Sequence, residues 1–271
     1  MDFRIDDRVA ITYASGIARV RLTRAERHNA VDMPMLAAMR KAIRLLRRER
    51  ELRCVIVSGD GPSFCAGIDT KAVLGNRRGA LGLYLRLWSL WRNDFQRWAL
   101  LWRDLPVPVI AAIHGNCLGA GIQLALGADL RVATPDARLS IMEAKWGLIP
   151  DMGGTVLLRE LVALDVAKEL VWSGRIVDGA EALKLGLVTH VAADPLAKAE
   201  ALAAEIATRS PDAVAAGKFL LQRAWDTDAG DALGAERRWQ RRLLVGPNRK
   251  IAAQRALQQA QIAYAPRSIG R

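Results

Sequence analysis

The sequence predicts an α/β core followed by an all-helical tail, and three observations carry that expectation. Short β-rich runs that end in glycine loops recur through the first two thirds of the 271 residues. An amphipathic helix and a helix-like, glycine-opened stretch lie between them. From Pro195 onward only Ala-, Leu- and Glu-rich helical patterns remain, separated at Ser210-Pro211, Ala229-Gly230 and Gly246-Pro247. The expected division is residues 1–195 and 196–271, with no flexible linker between them.

The elements follow in order. Residues 8–22 give two β-rich runs joined at Ser15-Gly16; Ile17, Arg19 and Arg21 alternate with Ala18, Val20 and Leu22, the pattern of a hairpin with one buried face. Asp32 stands before Met33-Pro34, and Leu36, Met39, Ile43 and Leu46 recur at three- and four-residue steps opposite Arg40, Lys41, Arg44 and Arg47, so a capped amphipathic helix is expected. Cys54–Ser58 and Val109–Ile113 read as buried strands, the first ended by Gly59-Asp60-Gly61-Pro62 and the second by His114-Gly115. Leu118-Gly119-Ala120-Gly121 opens a helix running to Leu126, and further strands are expected at Asp129–Ala133 and Leu187–Ala192. Tyr84, Trp88, Trp91, Phe95, Trp98 and Trp102 fall at steps of three and four, one face of a helix that packs on the core.

Composition excludes several classes. With 51% hydrophobic residues, 22 Gly and 10 Pro, the chain is globular, neither disordered nor repetitive. The three cysteines, Cys54, Cys65 and Cys117, lie in or beside apolar stretches and make no disulfide framework, which fits a cytoplasmic protein. The first seven residues mix acids and bases, so no export signal is expected. The apolar region 81–102 is interrupted by Arg86, Arg92, Asp94 and Arg97 and is not expected to span a membrane. The net charge of +12 fits phosphate-bearing small molecules, nucleic acid or a solvated basic surface, and scattered charge favours the last. The run Arg44–Arg50 reads as a solvated helix face. His114 and His190 have no second ligand at a metal-binding spacing, so no metal site is expected.

Two strand-to-glycine-loop junctions carry potential chemistry: Ser63–Lys71 and His114–Gln123. Small residues beside a helix start let backbone N–H groups point at an anionic atom, although either loop alone is better explained as a plain turn. A third segment, Ile141-Met142-Glu143-Ala144-Lys145-Trp146-Gly147-Leu148-Ile149-Pro150-Asp151-Met152-Gly153-Gly154-Thr155, makes the order specific. With Arg24-Ala25-Glu26-Arg27-His28-Asn29-Ala30, Ser173–Ala182 and Leu185-Gly186-Leu187-Val188, the chain resembles the enoyl-CoA hydratase/isomerase, or crotonase, superfamily; Ala25 stands where proline is usual, and the tail matches loosely.

The resemblance implies a spiral of ββα units with a helical C-terminal trimerisation region, assembled as a homotrimer or hexamer. It implies an acyl-coenzyme A thioester as substrate, with no permanently bound cofactor and coenzyme A present only as part of that substrate. The thioester oxygen is expected in an oxyanion hole made by the N–H groups of Ile68 and Ala120, and Ala66, Asp69, Lys71, Arg24 and Arg27 are the expected contacts of the coenzyme A portion, the three cations facing its phosphates. Hydratases of the family use two glutamates. Here the second matches Glu143, and the first matches Gln123, an amide that orients a water without exchanging a proton. One base suffices to move a double bond, so the resemblance favours a Δ3,Δ2-enoyl-CoA or dienoyl-CoA isomerase with Glu143 as general base, Asp151 as second acid and Gln123 positioning water or substrate. Asp151 reads equally well as a helix cap. The aromatic stripe and Trp146 are expected beside the acyl pocket. Alternatives are a hydratase with an altered site and a non-catalytic acyl-CoA- or RNA-binding member. The second draws on the charge and on Gln123, but no RNA-binding module is visible.

Overall fold

A computed structural model describes residues 2–74, 84, 87–258 and 262–270. Its strands are β1 (Asp2–Ile5), β2 (Val9–Ala14), β3 (Ile17–Leu22), β4 (Cys54–Gly59), β5 (Val109–Ile113), β6 (Asn116–Leu118), β7 (Leu130–Ala133), β8 (Arg138–Ser140) and β9 (His190–Val191). Among the described residues they form a seven-stranded sheet in the order β1-β2-β3-β4-β5-β7-β9 and a two-stranded sheet, β6-β8. The hairpin of β2 and β3 turns on Ser15 and Gly16, both with positive φ (52° and 77°), the left-handed pair that matches strand twist. From β3 onward every pairing in the large sheet is parallel.

Helix α1 (Met33–Arg48) starts where the Asp32 carboxylate accepts from Met35 N, with proline in the first turn. It buries Leu36, Met39, Ile43 and Leu46, the stripe read from the sequence, together with Met35. The further helices are α2 (Thr70–Leu74), α3 (Asp94–Leu100), α4 (Ala120–Leu126), α5 (Gly154–Leu158), α6 (Leu164–Ser173), α7 (Gly179–Leu185), α8 (Pro195–Ala207), α9 (Pro211–Ala224), α10 (Ala229–Leu244) and α11 (Pro247–Gln258).

The site is positioned by a second ladder that runs beside the large sheet. Residue pairs Cys65–Cys117 and Leu139–Val177 bridge on either side of β6 and β8, so segments following β4, β5 and β7 come into register one after another. Each then turns into helix: α2 after Ile68, α4 after Leu118, and a 3-10 turn at Glu143–Trp146 after Ser140. Strand, short strand and helix repeat as a unit, which is the ββα spiral the resemblance implies.

Strands β4 and β5 are buried on both faces. One face packs against α1 and the site helices. The other packs against α8, whose Ala199 and Ala203 meet Cys54, Ile56, Ile110, Ala112 and Val132. The first helix of the 196–271 region therefore closes the sheet itself. Helix α9 is anchored to the same layer by the buried Lys218 ammonium, which donates to Trp102 O (3.0 Å), Val107 O (3.0 Å) and Asp129 Oδ2 (2.7 Å).

Two expectations are corrected. The aromatic stripe does not lie on one helix: residues 87–93 are turns and bends, and α3 begins only after Asn93, which exchanges capping hydrogen bonds with Gln96. Trp88 and Trp91 are exposed, whereas Phe95, Trp98 and Trp102 are buried. The strand expected at Leu187–Ala192 shrinks to His190–Val191, because Leu187 and Val188 close the end of α7 by bonding back to Ala182 O.

Candidate active site

The two glycine loops meet at the head of the ladder. Val31 N donates to Gly67 O and Asp69 N donates to Val31 O, so Gly67 and Asp69 use their inner groups on Val31 and the N–H of Ile68 faces the opposite side. Ala120 is the first residue of α4, where N–H groups have no intrahelical acceptor. No acceptor among the described residues takes either amide. The approach is close because Gly67 (φ +97°) and Gly119 (φ +51°) carry no side chain: a Cβ on Gly67 would lie 3.0 Å from Leu118 O and 3.8 Å from Ala120 N. Trp98, buried on α3, donates its indole N–H to Ala120 O at 2.9 Å and ties down the start of α4. Sequence reasoning placed that tryptophan in the core and had no signal for this bond.

Gln123 lies one turn into α4 and is fully buried. Its Oε1 accepts from Met152 N (2.9 Å) and Gly154 N (3.0 Å), which fixes the amide so that Nε2 donates to Glu143 Oε1 at 2.6 Å. The Gln123 carbonyl thus accepts two hydrogen bonds and its amide donates one to Glu143. The other oxygen, Glu143 Oε2, is buried and finds no hydrogen-bond partner among the described residues. Burial pushes the Glu143 carboxyl above the usual glutamate range, and the nearby Asp151 carboxylate adds to the shift while the Gln123 amide opposes it. Asp151 is exposed at the rim, yet its apolar surroundings raise its carboxyl as well. Two carboxyls that hold protons above their ordinary ranges thus share one concavity, the pattern of an acid–base pair.

That concavity has a volume of ≈ 510 Å³ and brings together Ala66, Ile68, Ala120, Glu143 and Asp151 with Tyr84, Phe95, Trp146 and Leu148. A larger hollow of ≈ 740 Å³ lies between α9 and α10, away from these groups. Among the described residues no group of three or more His, Cys, Asp or Glu is arranged to hold a metal.

The expected contacts of the coenzyme A portion separate into two sets. Ala66 lines the cavity, Arg27 and Lys71 are exposed, and Lys71 follows the lining residue Thr70 in the chain. Arg24 and Asp69 are instead committed to each other: the Arg24 guanidinium meets Asp69 Oδ2 at 2.9 Å, Asp32 Oδ2 at 3.6 Å and donates to Ala30 O at 2.9 Å. The pair ties the Ile68 strand to the cap of α1. Replacing Arg24 by methionine leaves Asp69 with the Ala72 N–H and Asp32 with Arg8 and the Met35 N–H, and is expected to destabilise the chain by about 1 kcal/mol in urea titration, the scale of one lost hydrogen-bonded pair.

Amides with free N–H groups near a half-buried glutamate define an enzyme that stabilises charge on a carbonyl oxygen while a carboxylate moves a proton. The Enoyl-CoA hydratase/isomerase family model matches residues 12–261, and the chain belongs to that family of acyl-CoA enzymes. Relatives include YngF of Bacillus subtilis, described as an enoyl-CoA hydratase/isomerase, 39% identical over 82% of this chain and 84% of that protein. The mouse mitochondrial methylglutaconyl-CoA hydratase is 33% identical over 82% of this chain and 70% of the relative. Among solved structures, an enoyl-CoA hydratase from Bacillus anthracis superposes with a TM-score of 0.87 at 28% identity, over 95% of this chain and 98% of the other. The architecture is the crotonase fold. Among the described residues no helix is long and apolar enough to cross a membrane.

Proposed function

We propose that the chain is an enoyl-CoA isomerase that shifts a carbon–carbon double bond in an acyl-coenzyme A thioester, of the Δ3,Δ2 or dienoyl type. The observation that carries this reading is the state of Gln123: a locked amide stands where a second proton-exchanging group would be needed to activate water. Glu143 takes the C2 proton, the electron pair enters the thioester carbonyl, and the Ile68 and Ala120 N–H groups stabilise the enolate oxygen where the charge develops. Return of a proton at C4 of a 3-enoyl substrate, or at C6 of a 3,5-diene, completes the shift. Asp151, on the same cavity and with a raised carboxyl, is the second proton carrier where the substrate is a diene. Coenzyme A enters only as part of the substrate, and the exposed Arg27 and Lys71 are the cations assigned to its phosphates. Self-association into a homotrimer or hexamer belongs to the same proposal and is supported by exposed Leu164, Trp172 and Trp225.

The test is a product and isotope assay in D2O with 2-enoyl-, 3-enoyl- and 3,5-dienoyl-CoA. Double-bond migration with label uptake, and no 3-hydroxyacyl product, is expected. Hydration of the 2-enoyl substrate by the unaltered chain would overturn the isomerase reading in favour of a hydratase. Gln123→Glu puts a second carboxylate 2.6 Å from Glu143 Oε1; the two then share a proton, and 3-hydroxyacyl product is expected to appear where the parent gives none.

A further inference from the structure

We propose that Trp98 is a positioning residue for the reaction: through its indole N–H it aims the Ala120 amide at the reacting oxygen. The inference rests on reading that amide as one of the two oxyanion donors. The N–H of Ala120 follows Gly119, whose backbone (φ +51°) no side chain restrains, and it opens a helix of only seven residues. A helix that short is not held by its own hydrogen bonds, so the direction of its first amide is set by what ties the peptides on either side of it. Gly119 N donates to Ser140 O at 2.9 Å, and Gly119 O, in the same peptide plane as the Ala120 N–H, accepts from Gln123 N at 3.1 Å. The next peptide is tied by Trp98, whose Nε1 donates to Ala120 O at 2.9 Å.

The anchor is itself well held. Trp98 is 2% exposed and stands on α3, which opens on the reciprocal Asn93–Gln96 hydrogen bonds and is tied to α1 by Arg40 and Asp94 at 2.7 Å. Further along, α3 runs against the far end of α4, where a Cβ on Gly127 would lie 2.3 Å from Ala99 O. One turn before Trp98, Phe95 lines the cavity that holds Glu143. The helix that walls the acyl space therefore also fixes the amide at its head. Loss of the indole bond lets the Ala120 peptide swing about Gly119, and a donor displaced by about 1 Å loses much of its hold on developing charge.

Two substitutions separate the hydrogen bond from the bulk of the ring. Trp98→Phe keeps an apolar aromatic ring and has no N–H; Trp98→His loses the six-membered ring, but its imidazole superposes on the five-membered ring of the indole and carries Nε2 where Nε1 stood. With the full chain, turnover of the enoyl thioester is measured beside the infrared carbonyl stretch of bound hexanoyl-CoA labelled with carbon-13 at the thioester carbon. In the unaltered chain binding is expected to lower that stretch, because two aimed N–H groups draw electrons onto the oxygen. Trp98→Phe is expected to lower kcat by roughly 10–100-fold and to shrink the carbonyl shift, with hexanoyl-CoA affinity little changed. Trp98→His is expected to keep more of both, at a lower urea midpoint. A kcat and shift that survive Trp98→Phe, or that fall further in Trp98→His as the ring shrinks, would reduce Trp98 to packing and overturn the positioning role alone. Where Trp98→Phe does not fold, a Trp98→His chain with the parent's shift upholds the role and one without it overturns the role. No shift in the unaltered chain would overturn the oxyanion reading together with it.

Discussion

Replacing Glu143 by glutamine is expected to abolish exchange of the substrate's C2 proton in D2O, lowering turnover by roughly 10²–10⁴-fold, the range for loss of a positioned acid–base group. The amide keeps the shape and still accepts from Gln123 Nε2, so thioester affinity is expected to survive. The same substitution carries a stability signature. Burial holds the Glu143 proton to higher pH in the folded chain than the ordinary value of 4.5. Between that value and the raised one the native state binds the extra proton, so stability falls as pH rises through the window. Glu143→Gln removes the penalty: it is expected to raise the urea midpoint at neutral pH and to have no such effect below the ordinary glutamate range. Undiminished label uptake in the variant would remove Glu143 from the chemistry.

Gly67→Ala is the second large effect. The residue sits at φ +97°, a conformation alanine resists, and its new methyl would press on Leu118 O at 3.0 Å and crowd Ala120 N at 3.8 Å. Both amides proposed to hold the thioester oxygen would be displaced, with kcat expected to fall by roughly 10²–10³-fold, as when one oxyanion donor is lost. Coenzyme A binding is expected to change little. A variant that folds, binds and turns over like the parent would show that these amides do not hold the reacting oxygen.

Much of this was legible in the chain because local rules and global fold agree. Asp32 before Met33-Pro34 marks the start of α1, and Pro195, Pro211 and Pro247 each open a helix of the tail, since proline's fixed φ and missing N–H suit a first turn. Ser15-Gly16 marks the hairpin for an equally local reason. Strands β6 and β8, three residues each, escape because their pairing comes from the spiral and leaves no periodicity. The regular spacing of Tyr84 to Trp102 misled in the opposite direction: helical period says nothing about Asn93, whose side chain starts a new helix in mid-stripe. In the site, the family motifs brought Glu143, Asp151, Ile68 and Ala120 to one cavity with Gln123 bonded to Glu143 behind it, while the pairing of Arg24 with Asp69 was invisible, since a charge reads the same whether it waits for a phosphate or is already neutralised.

The parallel run from β3 to β9 also bears on how the molecule is made. Most of its pairings join strands far apart in sequence, Ala18 with Val55 and Val57 with Ala111 among them, so the centre of the sheet does not form from local contacts and folding is expected to be slow for the chain's size. Cys54–Gly59 and Val109–Ile113 are sticky on both faces and emerge from the ribosome well before α8, the helix that covers one of those faces, has been synthesised. During that interval the two central strands are the segments most open to aggregation and most in need of a chaperone.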